Sequence, residues 1–347
     1  MSGCWVGAVG ACSNICHKVP APDISNPSIF DHLDAVTTFT LEISELEHVF
    51  YNIRMNTSFV YRKVNLWKSY FANPEPALRY ASGLAEAGNA ALDLSRKLEE
   101  LVEAIPRDFY SWDFNNVIDD MTRATRGVPI FAVDEFLSRL PGLSHMAVSS
   151  IIIAKWALEV YKLNETISHS AGVGDELLKS VYDVDSYSQL LTFVLMKEKE
   201  QRAERCADSD AHPDAIKDPA AICGADFDDL HEIADQTQAH VSKVTVRVRA
   251  MVERYNLLVA EVRKSLNELL AYVNPDQAWC REVVPLEEAA IQIQGLRAAY
   301  VAQRETYLTI RINQYKARMY RQELDRKEQE RKSAEWKAQW LRPGQQG

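Results

Sequence analysis

Glycine and proline are in short supply, with 13 of each in 347 residues against an ordinary combined usage of about 12%. Residues 28–73, 225–274 and 286–342 hold only Gly295 between them. An all-β fold needs these residues at its many turns, so that class is excluded. The chain is 47% apolar and 25% charged, which excludes collagen-like and low-complexity disordered polymers. Long apolar runs are also missing. The richest stretch, Met146 to Leu163, is broken by Lys155, Glu159 and Lys162, short of the ~18–20 uninterrupted residues of a membrane-spanning helix. The first twenty residues lack the basic n-region of a secretory signal. The expectation is a soluble cytoplasmic chain, with membrane association and release without a signal peptide left open.

Catalytic and nucleotide motifs are missing too. The sequence contains no Gly-x-x-x-x-Gly-Lys-Ser/Thr, Gly-x-Gly-x-x-Gly, Gly-x-Ser-x-Gly or His-Glu-x-x-His, so nothing cradles phosphate, builds a nucleophile elbow or presents a zincin pair. The net charge of −10 disfavours nucleic acid as a partner.

What is present is helical periodicity. Val36, Phe39, Ile43, Leu46, Phe50, Ile53, Thr57, Val60, Val64, Trp67 and Phe71 recur in steps of 3 and 4, the seam of a coiled-coil-like helix. Ser28 and Asp31 read as its capping box. Pro74 and Pro76 make a corner. A second helix follows to Ile105, with Leu84, Ala87, Ala91, Leu94, Leu98, Leu101 and Ile105 inward. Gly83 and Gly88 lie near its start and mark close packing rather than a break.

Residues 106–170 read as an aromatic and apolar subdomain of short helices and loops, with Val128–Val133 as an extended candidate. From Leu143 to Ser170 apolar residues cover every face, the pattern of a helix buried inside a bundle. Gly172 and Gly174 are expected to turn the chain into a separate helix, about 175–205, followed by an acidic loop over 206–224. Residues 225–342 form a long antiparallel hairpin. Its first arm carries a seam from Phe227 through Leu230, Val241, Val248, Tyr255, Val262 and Leu269, with a second stripe at Val252, Val259 and Leu266. Its second arm carries Ile293, Leu296, Tyr300, Tyr307 and Ile310, then a polar, basic end. The fold class is all-α: an elongated antiparallel multi-helix bundle, with residues 1–27 as an irregular leader.

Partial chemical motifs fail on spacing or on facing. Glu45 and His48 imitate half of a diiron ligand set, but the seam places both on the outer face. Asp119 and Asp120 resemble the start of the Asp-rich magnesium motif of terpene cyclases, yet Arg123 stands where the closing acid belongs. Asp208, Asp210 and His212 open like a calcium loop that Pro213 interrupts. No cofactor and no metal are expected. Among six cysteines, thiols are the default. Cys4, Cys12 and Cys16 are lipidation candidates on an apolar leader, and Cys206 and Cys223 flank the acidic loop, which an oxidising setting would let them close.

Two sets of residues remain as contact candidates. Lys332, Trp336, Lys337, Trp340 and Arg342 make an amphipathic basic end suited to a partner or to anionic lipid. Ile130, Phe131, Ile151, Ile152, Ile153 and Trp156 form the apolar segment that a pore former would insert. In outline the chain resembles the α-helical cytolysins of the haemolysin E type, in its long helices, its compact apolar region at one end and its lack of a transmembrane segment. That resemblance is one of architecture and implies a soluble rod that enters membranes. The first expectation is a non-enzymatic scaffold or adaptor that binds a protein partner, a second copy of itself or an anionic membrane. A cytolysin-like pore former is the alternative.

Overall fold

The computed structural model describes residues 24, 25, 27–125, 144–211, 226–273 and 286–340. Among them there is no strand. The elements are α1 (Ile29–Trp67), a 3-10 turn (Lys68–Tyr70), α2 (Pro74–Phe109), α3 (Trp112–Thr125), α4 (Ser144–Ala211), α5 (Asp226–Val273) and α6 (Leu286–Trp340). The all-α bundle expected from periodicity is what forms.

Four helices make the body. Helix α1 packs on α2 and α5, and α4 packs on α2 and α5 from the other side, which closes a ring. Helix α3 lies against α4 and α6. The α1 seam faces inward throughout: Val36, Phe39, Ile43, Leu46, Phe50, Ile53, Thr57, Val60, Val64 and Phe71 are buried, and Trp67 is half-buried. Both α5 stripes are buried because this helix has two neighbours, and Tyr255 stacks on Phe39 at 4.8 Å between ring centroids. Two glycines let α2 approach its neighbours closely. A Cβ on Gly88 would stand 2.6 Å from Thr57 Oγ1 on α1, and one on Gly83 would stand 2.9 Å from the Tyr187 ring on α4.

Several local expectations give way to packing. The chain does not turn at Gly172 and Gly174; α4 runs through them as one helix of 68 residues. Gly172 is exposed with nothing near it, while Gly174 faces Val252 and Tyr255 of α5. Burial of the flanking Val173 and Leu177 outweighs a glycine cost of about 1 kcal/mol each. The first turns of the expected acidic loop are likewise helical, to Ala211. Helix α2 continues past Ile105 through Pro106 to Phe109, because Pro106 and Phe109 are themselves buried. Ser28 does not cap α1. Its hydroxyl meets Ser265 Oγ of α5 at 2.8 Å, and His32 Nδ1 reaches the same oxygen at 2.9 Å.

The Leu143–Ser170 stretch is not enclosed on all sides. Trp156, Val160, Leu163 and Ile167 are buried, but Leu158 and Tyr161 face solvent, as single apolar residues commonly do. The aromatic residues after Pro106 join the main core rather than one of their own. Phe109 contacts Phe30 of α1, Phe114 of α3 and Tyr300 of α6, and Phe114 packs edge-on to Trp156. The leader is partly docked as well: Ile24 is buried, and a Cβ on Gly295 of α6 would stand 2.9 Å from Ser25 Cβ. Residues 128–133, read as extended, and 212–224 of the acidic loop lie outside the described residues.

Candidate functional site

Helix α6 is built differently from the others. After the buried Ile293 and Leu296, its residues facing the body are Tyr300, Arg304, Tyr307, Arg311, Gln314 and Arg318, again in steps of 3 and 4. This is a heptad seam whose members are polar or amphipathic. Each basic member meets an acceptor on the body. Ahead of the seam, Arg297 Nε bonds Asp119 Oδ1 of α3 at 2.7 Å. Tyr300 donates its hydroxyl to the carbonyls of Phe109 and Ser111, at 3.0 and 3.2 Å. Arg304 Nε donates to the carbonyl of Tyr110 at 3.1 Å. Those three carbonyls sit at the α2–α3 corner, so the root of α6 occupies the end of α2.

Farther along, the seam spans a furrow between α1, α2 and α6, with a volume of about 830 Å³. Its walls include Glu47, His48 and Tyr51 of α1, Arg96, Glu99 and Glu103 of α2, and Arg318 and Leu324 of α6. Arg311 grips Glu103 through both oxygens, at 2.9 and 3.2 Å. Arg318 bridges Glu103 and Glu99, the latter at 2.8 Å. Arg96 Nε holds Glu47 at 2.9 Å on the opposite wall.

The electrostatics divide the two glutamates. Burial pushes Glu99 above its ordinary value, and the Arg318 charge only partly pulls it back. Burial acts on Glu103 in the same direction, but hydrogen bonds from Arg311 and Arg318 overcome it and hold the carboxyl below its ordinary value. Burial also lifts the Tyr300 and Tyr110 phenols well above the usual range, so both stay protonated. Gln314, buried in the same seam, has neither amide atom hydrogen-bonded. The furrow carboxylates that lie deepest are tethers for arginine, an arrangement suited to docking a helix.

One exposed flank of α6, about a quarter turn round the helix from the Arg/Tyr seam, is apolar. Val301, Leu308, Ile312, Tyr315 and Met319 are 40%, 45%, 55%, 65% and 49% exposed. Their spacing of 7, 4, 3 and 4 residues gives a second stripe on one face. Glu305 fills the stripe position between Val301 and Leu308, Lys316 flanks the stripe, and both are exposed.

The chain matches no known family model, no curated protein and no solved structure.

The residues singled out from the sequence fall in several places. Trp156 is buried, with its indole N–H directed at the Leu269 carbonyl at 3.3 Å. Ile151, Ile152 and Ile153 are helical, and their side chains lie outside the described residues, as do Ile130 and Phe131 altogether. Lys332, Trp336, Lys337 and Trp340 are in the helical end of α6, with side chains outside the described set; Arg342 lies beyond it, as do Cys4, Cys12 and Cys16. Cys206 is disulfide-bonded, so of the two states left open for it the default thiol gives way; Cys223, its candidate partner, lies outside the described residues. Glu45 and His48 are exposed, as expected, and line the α1 wall of the furrow. Asp119 and Asp120 serve as ion-pair partners of Arg297 and Lys155.

Sequence reasoning found Tyr300 and Tyr307 but missed Arg304, Arg311 and Arg318 as docking residues, along with the exposed stripe. The signal was available: arginine and tyrosine alternate at 297, 300, 304, 307 and 311, then Arg318 follows one heptad after Arg311.

Proposed function

We propose that the protein is a non-enzymatic scaffold that works by pairing a partner helix with the exposed apolar flank of α6. The observation that carries this reading is an apolar stripe on α6 that the body leaves uncovered. Ile293, Leu296 and the Arg/Tyr seam that follows lie against the body, and the stripe beside that seam is left to solvent. A helix optimised only for intramolecular docking carries a single apolar stripe and turns it inward. One with a second, exposed stripe gains hydrophobic free energy from it only when something covers it.

The width of the stripe favours a protein partner over a membrane surface. Five residues at coiled-coil spacing form a narrow seam, whereas interfacial helices present a broad apolar face bordered by bases. Glu305 also sits in the stripe, where an anionic surface would repel it. The pore-forming alternative draws no support from Trp156, which is committed to the core.

The test is photocrosslinking in the producing cell, with a photoreactive residue at position 312 of the full chain. The expected result is a discrete protein adduct that Leu308→Asp abolishes. Adducts to lipid alone would replace this reading with the membrane one, and no adduct at all would refute both.

A further inference from the structure

We propose that the helix covering the apolar flank of α6 is α6 of a second copy of this chain, laid antiparallel about a two-fold axis near residue 310. This rests on the reading of the exposed stripe as a helix-pairing face.

The stripe is self-complementary in that arrangement. With the axis near 310, Val301 opposes Met319 of the second copy and Leu308 opposes Ile312. The same pairs repeat by symmetry on the other side. Tyr315 then faces Glu305, where its hydroxyl can donate to the carboxylate, and Lys316 lies diagonally next to that same glutamate. Two Glu305–Lys316 ion pairs therefore form across the interface. Among the described residues neither Glu305 nor Lys316 has an ion pair within its own chain.

The alternatives do worse. A parallel, in-register pair sets Glu305 against its own copy, a like-charge contact that is unfavourable in the seam. Sliding the antiparallel pair by one heptad toward the C-terminus keeps Leu308 on Met319 and Ile312 on Tyr315, but sets Val301 against Arg326 and separates Glu305 from Lys316. Sliding it the other way sets Glu305 on Leu308. The placement of charge thus chooses the register.

The area is sufficient. A large side chain exposes roughly 200 Å² when fully accessible, and the five are 40–65% exposed. They offer about 500 Å² per copy before any flanking residue is counted, or about 1,000 Å² for the pair, the floor that a specific interface has to clear. The seam segment from Val301 to Met319 is about 27 Å long, five turns of coiled coil.

The experiment is sedimentation equilibrium on the purified full chain up to about 100 µM, where even a micromolar Kd gives mostly dimer. The wild type is expected to dimerise. Leu308→Asp with Ile312→Asp should give a monomer with unchanged helix content, since both positions are exposed. Glu305→Lys alone should weaken the dimer by roughly 5- to 10-fold, from two rim pairs turned repulsive. Adding Lys316→Glu should restore it to within about twofold. Orientation is read by mild oxidation of a Val301→Cys, Met319→Cys double variant, with the crosslinked peptide identified by mass spectrometry. A 301-to-319 link between chains supports the antiparallel pair. A 301-to-301 link, a wild-type monomer at the highest concentration, or a charge swap that fails to restore association overturns it. If the chain is monomeric but the residue-312 adduct joins it to a different protein, the second copy falls and the helix-pairing reading stands.

Discussion

Gly88→Ala sets two well-known effects against each other, and the structure decides the sign. In an unconstrained helix interior the change stabilises by about 0.8–1.0 kcal/mol. At this position the new Cβ would sit 2.6 Å from Thr57 Oγ1 and 3.4 Å from its Cγ2. Thr57 is fully buried, β-branched and tied by its hydroxyl to the Arg54 carbonyl at 3.1 Å, so it cannot swing aside as a long side chain would. Forcing a methyl into a packed interface costs about 1–3 kcal/mol. The net expectation is a loss of about 1 kcal/mol. Gly172→Ala is the control, since nothing lies within 4 Å of its would-be Cβ; it should gain about 0.8–1.0 kcal/mol from propensity alone. Urea unfolding followed by circular dichroism reads both, provided the m-values agree. A further variant, Gly88→Ala with Thr57→Ala, removes the obstructing atoms and should be more stable than the sum of its parts by about 1 kcal/mol or more. If Gly88→Ala stabilised as much as Gly172→Ala, the close approach of α1 and α2 argued above would be wrong.

Two further expectations concern buried polar groups. Tyr255 has its hydroxyl bonded to Ser170 Oγ in the α4–α5 interface, so Ser170→Ala should cost about 1–3 kcal/mol by leaving a buried hydroxyl unpaired, with much of it recovered when Tyr255→Phe is added; equal losses in the single and double variants would show the bond to be idle. In the furrow, Glu103 is held below its ordinary value and supplies stability at neutral pH that is lost as pH falls through the carboxylate range, while Glu99 is raised and carries a penalty for ionising that lifts over the same range. Glu103→Gln should therefore be destabilised at pH 7 with a deficit that narrows on acidification, and Glu99→Gln should show an advantage that narrows; urea midpoints measured from pH 7 to pH 4 check both, and parallel slopes would refute the assignment.

The body of the bundle was legible because apolar steps of 3 and 4 report an inward face wherever the neighbour is also apolar. That condition holds for α1, whose seam residues are nearly all buried, and for α5, whose two stripes answer to two neighbours. It fails for α6, which rests on a surface of backbone carbonyls and of the carboxylates Glu99, Glu103 and Asp119. Against such a surface the inward face must be basic, so a search for apolar residues finds Tyr300 and Tyr307 and passes over the arginines between them. Gly172 and Gly174 misled for another reason. Their propensity is local, whereas the burial of Val173 and Leu177 depends on neighbouring helices that are remote in sequence. Ser28 was read as a cap because its hydroxyl had an obvious local partner, and a distant serine took it instead.

The position of α4 in the ring has a consequence for how the chain is made. Helix α2 is complete at Phe109, yet its face around Gly83 and Ala87 is covered by Tyr187 and Ser180 of α4, and α4 ends only at Ala211. At synthesis rates of about 5–20 residues per second, the α1–α2 hairpin waits roughly 5–20 s for its third wall. For that interval an apolar strip stands open on the nascent chain, and the order of the helices makes it a place for a chaperone to hold.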